Sequence, residues 1–159
     1  MIFRPGDVHD LPFLKKMLFE AFFWDPKESR PKLEDFQSNT EFRKLLNNWG
    51  RTGDTAFIAE AEKTKIGAAW FRLWTAENHS YGFVDDKTPE IAIAVSQAWR
   101  SKGCGRKLLQ KIIAKAKEDG FPALSLSVDP ANKARRLYES EGFVKVGESG
   151  TSWTLLLRF

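Results

Sequence analysis

A short apolar run that breaks into a glycine-containing turn is the part of this chain best suited to binding an anion. The run, Ile91–Val95, is followed by the segment RSKGCG at residues 100–105 and then by a helical pattern. A turn at a helix N-terminus offers several free main-chain N–H groups to one anion. Glycines such as Gly103 and Gly105 can adopt positive φ and let a phosphate come close to the main chain. The residues therefore predict a phosphate-binding loop.

Two other kinds of phosphate loop are excluded by their spacing. The nucleotide-triphosphate loop needs a glycine, four residues and then Gly-Lys-Ser/Thr, which this chain does not have. The dinucleotide fingerprint needs a third glycine at position 108, where this chain has Leu108. Taken alone, the segment is also compatible with an ordinary strand–turn–helix connection.

A second segment removes much of that ambiguity. Residues 132–143 read NKARRLYESEGF, which has the form N-x-A-x-x-L-Y-x-x-x-G-F. Together with the earlier R-x-x-G-x-G, and in this order, it resembles the coenzyme A-binding motifs of the GNAT superfamily of acyl-CoA-dependent N-acyltransferases. The resemblance is strongest over residues 90–146 and is only architectural over the first 85 residues.

The resemblance implies a fold and a co-substrate. The fold is α/β of the α+β type, a central mixed sheet of six or seven strands flanked by about four helices, and the co-substrate is acetyl-CoA. Its pantetheine arm is expected between the strands that end at Val95 and Val128, which splay apart, and the Val95 N–H is expected to polarise the thioester carbonyl. The implied cofactor-binding residues are Ile93, Ala94, Val95, Arg100, Ser101, Lys102, Gly103, Cys104, Gly105, Arg106, Asn132, Arg135 and Tyr138.

Two side chains are predicted to be catalytic. Tyr138 is the predicted general acid, because a phenol with an ordinary pKa of about 10 is protonated at neutral pH and can donate to a thiolate. Glu90, at the start of the cofactor strand, is the predicted general base, although its register differs by one residue from that of histone-acetylating relatives. Glu60, Glu62 or a base acting through water are alternatives. Packing alone for Tyr138, and helix capping alone for Asn132, also stay open.

Cys104 is predicted to pack inward rather than to react. It lies in the first turn of a predicted helix, where a thiol pKa can fall. Similar proteins usually carry an aliphatic residue at this position, however, and nothing that resembles a base partner accompanies Cys104. A covalent relay through its thiol is therefore disfavoured. His9 and His79 are interpreted as surface residues.

Periodicity and turn residues predict the elements that must position these groups. Residues 2–4 are predicted as a strand, 8–22 as a helix capped by Asp7, 26–38 as a loop and 40–49 as a second helix. A hairpin of strands 56–62 and 66–74, a polar connection over 75–89 and the strand 91–95 follow. The remaining predictions are a helix over 105–118, a strand over 124–128, a helix over 131–140 and strands over 143–148 and 152–159. Alternation of Leu and Ser in 124–128 indicates a half-buried strand.

Composition bounds the class of protein. With 159 residues, 42% hydrophobic and 29% charged, one soluble domain over residues 1–159 is expected. One cysteine excludes an intramolecular disulfide, and one cysteine with two histidines argues against a structural zinc site. No apolar run approaches the length of about 18 residues that suggests a membrane span, and the N-terminus does not have the pattern of a signal peptide. We therefore expect a cytoplasmic protein without a metal.

The positive charge is concentrated beside the predicted phosphate loop. The net charge is +4, and residues 100–117 hold seven Lys or Arg and no acid. Such a segment suits a polyanionic ligand, with Arg100, Lys102 and Arg106 expected to bind it. The basic residues are not interleaved with exposed-looking aromatic residues, so nucleic acid is not the expected partner.

The resulting functional hypothesis is an N-acetyltransferase that moves an acetyl group from acetyl-CoA to a primary amine by direct attack in a ternary complex. The acceptor is expected to be a small molecule or a peptide, and a homodimer is common in similar proteins. An inactive acyl-CoA-binding sensor or scaffold is the main alternative. A basic RNA-associated protein is a weaker one.

Overall fold

Seven strands form one mixed sheet across the computed structural model, which describes residues 1–159. The strands are β1 (Ile2–Pro5), β2 (Thr55–Ala61), β3 (Thr64–Arg72), β4 (Glu90–Val95), β5 (Ala123–Val128), β6 (Val144–Ser149) and β7 (Ser152–Arg158). Their order is β1-β2-β3-β4-β5-β7-β6, and every neighbouring pair is antiparallel except β4 and β5, which run parallel. The predicted α+β fold with a six- or seven-stranded mixed sheet is confirmed.

Five helices flank the sheet, one more than the expected four or so. They are α1 (Leu11–Phe22), α2 (Leu33–Ser38), α3 (Thr40–Arg43), α4 (Cys104–Glu118) and α5 (Ala134–Ser140). Helices α1 and α2 belong to one hydrophobic core and α4 and α5 to another, on opposite faces of the sheet. None of the helices has both the length and the apolar composition needed to cross a membrane.

The alternation of side chains along β4 and β5 defines two faces at the centre of the sheet. Ile91, Ile93 and Val95 pack into the core that contains α4, whereas Ala92 and Ala94 pack into the core that contains α1. We call these the α4 face and the α1 face. Because strand side chains alternate with a period of two, Glu90 on β4 lies on the α1 face. On β5 the leucines lie on the α4 face, so the serines between them lie on the α1 face.

The N-terminal third differs from its predicted elements. The loop prediction for residues 26–38 is wrong over α2, because Phe36 is buried against Phe19 of α1 and this packing stabilises a helix too short for a clear periodic signal. The helix predicted over residues 40–49 ends at Arg43. Beyond it the carbonyl oxygens of Lys44 and Asn47 accept hydrogen bonds from the Arg72 guanidinium and are directed to that side chain instead of along a helix axis.

Candidate active site

A gap between β4 and β5 is the central feature of the candidate site. The two strands are paired at a single position, Glu90 with Ser125, where the Ser125 N–H donates to the Pro89 carbonyl oxygen at 3.0 Å. Beyond this pair the strands have no further paired residues and diverge, as the family resemblance implied. The edge of β4 from Ile91 to Val95 therefore faces an opening instead of a partner strand.

The main-chain groups of Ile93 and Val95 point into this gap. The Ser96 N–H donates to the Ile66 carbonyl oxygen on the β3 side at 2.7 Å. Main-chain groups of successive strand residues point in opposite directions, so those of Val95 and Ile93 point away from β3 and toward β5. The main-chain groups of Ile93 and Val95 can therefore form hydrogen bonds with an extended ligand that lies in the gap.

The loop that follows β4 brings free N–H groups to the open end of the gap. Ser101 and Gly103 have positive φ values of 62° and 85°, which turn the chain sharply into α4. The Lys107 N–H donates to the Gly103 carbonyl oxygen at 3.2 Å, so the N–H groups of residues 104–106 precede the first turn of helical hydrogen bonds. This arrangement suits an anion at the helix N-terminus.

The two glycines of the loop leave this N-terminus open. A β-carbon added at Gly103 would meet no atom within 4 Å, although its positive φ favours glycine. A β-carbon at Gly105 would lie 3.6 Å from Leu137 of α5 and 3.9 Å from Val95, which are ordinary contacts. Packing within the protein therefore does not require glycine at 105. Exposed main chain at this position fits the close approach of a phosphate group.

The Arg100 side chain makes its polar contacts with other residues of the protein. Its Nε donates to the Val95 carbonyl oxygen at 3.0 Å, one terminal nitrogen to the Trp24 carbonyl oxygen at 3.2 Å, and the other lies 3.5 Å from the Glu20 carboxylate. Glu20 is also paired with Arg30, at 3.2 Å. Arg100 thus joins the end of β4 to the segment after α1.

Two other predicted cations lie at the loop in a more exposed position. Lys102 is exposed, and its ammonium lies 5.0 Å from the centre of the Trp99 ring. Arg106 is half-exposed and donates to Glu141 at 2.8 Å and to Ser140 at 3.1 Å, which fastens α4 to the end of α5. Both side chains remain near the free N–H groups of α4.

Asn132 and Arg135 lie around the start of α5. The helix begins at Ala134, three residues later than predicted, and the Asn132 side-chain oxygen accepts the Ala134 N–H at 3.0 Å. This hydrogen bond occupies the side-chain oxygen of Asn132 and leaves the side-chain NH₂ group of the same residue available to a ligand. Arg135 donates to the Pro130 carbonyl oxygen at 3.0 Å and lies over the Trp153 ring at 5.0 Å.

Tyr138 is buried on the α4 face. Its ring packs edge-on against Phe143, with the ring centres 6.0 Å apart. Burial raises the pKa of the Tyr138 phenol, and no other group opposes or adds to that shift. The phenol is therefore protonated at neutral pH, as a proton donor must be.

Glu90 is held by the segment that precedes β4. Its Oε1 accepts the Gly82 N–H at 3.0 Å. Burial raises the pKa of Glu90 to about 7, opposed by hydrogen bonds from the Ser80 side chain and the Gly82 N–H and by the positive charge of Lys44. A carboxyl group with this pKa exchanges protons near neutral pH, which suits a general base.

Residues 79–83, which we call the covering segment, lie over β5 on the α1 face. The sequence predicted only a polar connection here, and the structure confirms that residues 75–89 contain no strand or helix. The Lys44 ammonium donates to the His79 carbonyl oxygen at 2.7 Å, and the Tyr81 hydroxyl donates to Glu41. A β-carbon at Gly82 would lie 2.6 Å from the Leu126 carbonyl carbon, so glycine is required by this close approach.

Ser125 was missed by sequence reasoning. Alternating Leu and Ser in β5 predicted a solvent-facing serine, but Ser125 has no exposed surface. Its hydroxyl also has no hydrogen-bond partner. Alternation identifies the face that carries the serines, but it does not reveal that another part of the chain covers that face.

Cys104 packs inward, as predicted. Its side chain is buried in the core around α4, and burial raises the pKa of the thiol. The neutral thiol is therefore favoured over the thiolate, which is the nucleophilic form. The structure gives Cys104 the properties of a small apolar core residue.

Comparison with known proteins gives one family match. The model of the family described as "Acetyltransferase (GNAT) family" matches residues 15–143 of this chain. YwnH from Bacillus subtilis (strain 168), provisionally named a phosphinothricin acetyltransferase, is 29% identical over 124 residues, which cover 77% of this chain and 67% of YwnH.

One further curated protein is similar to this chain in sequence, and one solved structure is similar to it in fold. The [ribosomal protein bS18]-alanine N-acetyltransferase of Haemophilus influenzae is 36% identical over 90 residues, or 53% of this chain and 62% of that protein. The chain thus spans about two thirds of the length of the curated relatives it matches. The PaiA N-acetyltransferase of Thermoplasma acidophilum, solved with coenzyme A, shares the fold with a TM-score of 0.74 at 18% identity, over 100% of both chains.

Proposed function

The chain belongs to the acetyltransferase (GNAT) family, and from this premise we propose that it transfers the acetyl group of acetyl-CoA to a primary amine by direct attack in a ternary complex. The observation that carries the proposal is the gap between β4 and β5, which opens onto the free N–H groups of residues 104–106. An inactive acyl-CoA-binding scaffold is not favoured by any feature of this site.

The main chain carries most of the proposed binding. The N–H groups at residues 103–106 hold the diphosphate, and Lys102 and Arg106 add positive charge beside it. The strand segment 93–95 pairs with the pantetheine arm through the main-chain groups of Ile93 and Val95. The free side-chain N–H₂ of Asn132 contacts the arm from the other side of the gap.

The sequence led us to expect that the Arg100 side chain binds the diphosphate, but the proposal gives it a different role. Its guanidinium is shared among the Val95 carbonyl, the Trp24 carbonyl and the Glu20 carboxylate, which leaves it poorly placed to serve a diphosphate as well. We assign it to positioning. By holding the carbonyl of Val95, it fixes the peptide at the end of β4 and, with it, the direction of the neighbouring N–H groups. The main chain of residues 100–101 still forms the turn.

The reaction needs a carbonyl polarised, an amine deprotonated and a leaving thiolate protonated. Acetyl-CoA supplies the acetyl group as a thioester. The Val95 N–H donates to the developing oxyanion, and Glu90, about 16 Å away along β4, takes a first proton from the acceptor's ammonium group through intervening water. The neutral amine attacks the thioester carbon, the C–S bond breaks as the Tyr138 phenol protonates the departing thiolate, and the second proton lost by the attacking nitrogen restores the phenol. The pKa of Glu90, raised by burial to about 7, supports its assignment, and the Tyr138 phenol meets the requirement that a donor be protonated at neutral pH.

The acceptor is proposed as a small-molecule or peptide amine. One similar protein is named for phosphinothricin and another for the alanine of a ribosomal protein, so the family match is compatible with both classes. We also propose a cytoplasmic location, supported by the free thiol of Cys104. The exposed Val144 and Val146 on the edge strand β6 support a homodimer.

Two measurements test the proposed function. Titration calorimetry should show binding of coenzyme A and of acetyl-CoA, and a panel of amines should release free thiol from acetyl-CoA in proportion to acetylated product. A protein that binds neither coenzyme A nor acetyl-CoA would contradict the proposal. Binding of coenzyme A without acetylation of any amine would favour the scaffold instead.

A further inference from the structure

A cavity of about 170 Å³ opens between α1, α2, α3 and the segment that follows α3. It lies within the core on the α1 face, and no residue of β4, β5, α4, α5 or the phosphate-binding loop lines it. An apolar cavity of about 150 Å³ is large enough to hold a benzene molecule. The cavity therefore suits a ligand with the bulk of one aromatic ring, at a place separate from the gap between β4 and β5.

The inner part of the cavity is apolar. Its hydrophobic side chains are Leu11, Leu18, Phe36, Phe42 and Leu46. Three of them, Leu18, Phe36 and Leu46, are buried. The rings of Phe36 and Phe42 are stacked, with their centres 4.5 Å apart. Packed side chains hold this surface in place without a ligand, and the apolar part of a ligand would gain free energy by leaving water there.

The rim of the cavity carries two positive charges and no negative charge. The cations are Lys15 and Arg43, and both side chains are exposed. Neither forms an ion pair within the protein. The remaining polar side chains of the lining are the amides of Gln37, Asn47 and Asn48. The rim thus offers hydrogen-bond donors and positive charge above an apolar floor.

The placement of the two cations differs from that of ordinary solvated lysines and arginines. Lys15 belongs to α1 and Arg43 to α3, so the fold brings them to one cavity from different elements. Like charges repel, and no acidic residue of the lining compensates them. An anion at the rim would remove this repulsion and would form charge-assisted hydrogen bonds.

We propose that this cavity binds a small carboxylate whose body is one ring or a short branched chain. The carboxylate accepts hydrogen bonds from Lys15 and Arg43 at the rim, and the apolar body lies against the stacked rings inside. An amine of the same size would be repelled by the two cations, and inorganic phosphate would leave the apolar floor in contact with water. The site does not depend on the proposed function, because it shares no residue with the gap.

Such a ligand would contact α1, α2 and α3 at the same time. Helices α2 and α3 have only six and four residues, so they depend on tertiary contacts. A ligand that binds only the folded state raises the free energy of unfolding. We therefore expect a carboxylate in the cavity to slow hydrogen exchange most strongly at residues 33–48.

The test uses benzoate as the probe, beside acetate, benzyl alcohol and benzylamine. Acetate has the charge without the ring, benzyl alcohol has the ring without the charge, and benzylamine has the opposite charge. Titrations followed by amide chemical shifts should show that benzoate binds at least about tenfold more tightly than each of the other three. The shifts should map to α1, α2, α3 and residues 44–48.

Lys15→Gln and Arg43→Gln should each weaken benzoate binding about tenfold, as expected for the loss of a hydrogen bond to a charged group. Lys16→Gln is the matched control, because Lys16 is also exposed on α1 but does not line the cavity. It should leave the affinity unchanged. All three side chains are exposed, so the variants should keep the melting temperature of the wild-type protein without ligand.

Four results would overturn the proposal. The first is no binding of benzoate at millimolar concentration, and the second is binding that shifts the N–H groups of residues 104–106 instead of the cavity. The third is equal affinity for benzyl alcohol, which would mean that the two cations take no part. The fourth is an equal effect of Lys15→Gln and Lys16→Gln, which would reduce the binding to a general attraction between a basic surface and an anion.

Discussion

At the scale of single residues, Tyr138 provides the most direct test of the chemistry. Its phenol is buried and its pKa is raised by burial, so replacement with Phe removes a proton donor without removing the ring that packs on Phe143. We expect Tyr138→Phe to bind coenzyme A normally and to lose at least about tenfold in kcat. Steady-state kinetics and calorimetry measure the two quantities.

The second tyrosine of the chain is the natural control for this experiment. Tyr81 lies in the covering segment and donates to Glu41 at the surface. Tyr81→Phe should keep kcat close to the wild-type value. Unchanged kcat in Tyr138→Phe would assign Tyr138 to packing.

The pH dependence of kcat/KM is expected to report on Glu90. Its pKa is raised by burial to about 7, with Lys44 as the charged group that opposes the shift. Below that pH the carboxyl is protonated and cannot accept a proton, so kcat/KM should rise with pH through about 7. Glu90→Gln should lower activity and remove this limb of the profile, whereas a profile unchanged in Glu90→Gln would exclude Glu90 as the base.

The same group should affect stability in the opposite direction. The folded pKa of about 7 lies above the ordinary value of 4.5, so the folded state binds more protons than the unfolded state between these values. The free energy of unfolding therefore gains a contribution from Glu90 at low pH that is lost as the pH rises from about 4.5 to about 7. Stability that decreases over the pH range where activity increases would identify one buried carboxyl group as the source of both changes.

Sequence reasoning at this scale predicted the positions of residues that belong to a motif, whereas it missed the burial of Ser125, which depends on a distant segment. Asn132 and Tyr138 are fixed relative to the start of α5, so their spacing indicates their place. Ser125 becomes buried only because residues 79–83 fold over β5, and nothing in the pattern of β5 itself indicates that contact. For Arg100, local spacing favoured an anion ligand, whereas the contacts that occupy its side chain come from α1 and the segment after it.

At the scale of elements, Arg100 is expected to affect turnover more than cofactor affinity. Arg100→Gln removes the contacts that join β4 to the segment after α1, so the Val95 peptide should lose its fixed orientation. We expect kcat to fall about tenfold while the coenzyme A affinity changes little, because misplacement of a reacting group is costly.

Lys102→Gln is the comparison for that variant. Lys102 is exposed beside the free N–H groups of α4 and has no ion pair within the protein. Its replacement should weaken coenzyme A binding with little change in kcat. The reverse pattern, with Arg100→Gln losing affinity and Lys102→Gln losing turnover, would assign the Arg100 side chain to the diphosphate.

The covering segment should be displaced by a single added carbon. In Gly82→Ala the new β-carbon would lie 2.6 to 2.9 Å from main-chain atoms of Leu126 and Ser127, and main chain within a sheet cannot easily shift. We expect faster hydrogen exchange at residues 79–83 and a lower melting temperature, with coenzyme A still bound. Gly147→Ala, where a β-carbon meets nothing within 4 Å, should change neither measurement. Unaltered exchange in Gly82→Ala would show that the segment does not rest on β5.

Helices and strands were predictable from the sequence where the hydrophobic pattern continues over many residues. Helix α4 has six buried residues on one stripe, and its prediction differs from the structure by one residue at its start. Helices α2 and α3 span only six and four residues, and they depend on an aromatic cluster that brings Phe36 onto Phe22 and Phe42. Such helices are stabilised by tertiary contacts rather than by a local signal.

At the scale of the whole molecule, the proposed binding of coenzyme A in the gap between β4 and β5 should couple ligand binding to folding. A ligand that binds only the folded state raises the free energy of unfolding by RT ln(1 + [L]/Kd), which is about 2.7 kcal/mol at a hundredfold excess over Kd.

For a domain of this size we expect coenzyme A to raise the melting temperature by several degrees. Pantetheine, which lacks the diphosphate, should raise it far less at the same concentration, because the free N–H groups of residues 104–106 gain no partner. Added salt should weaken the effect of coenzyme A through screening of the basic segment 100–117. Equal shifts with both ligands would place the affinity in the strand gap instead of in the loop.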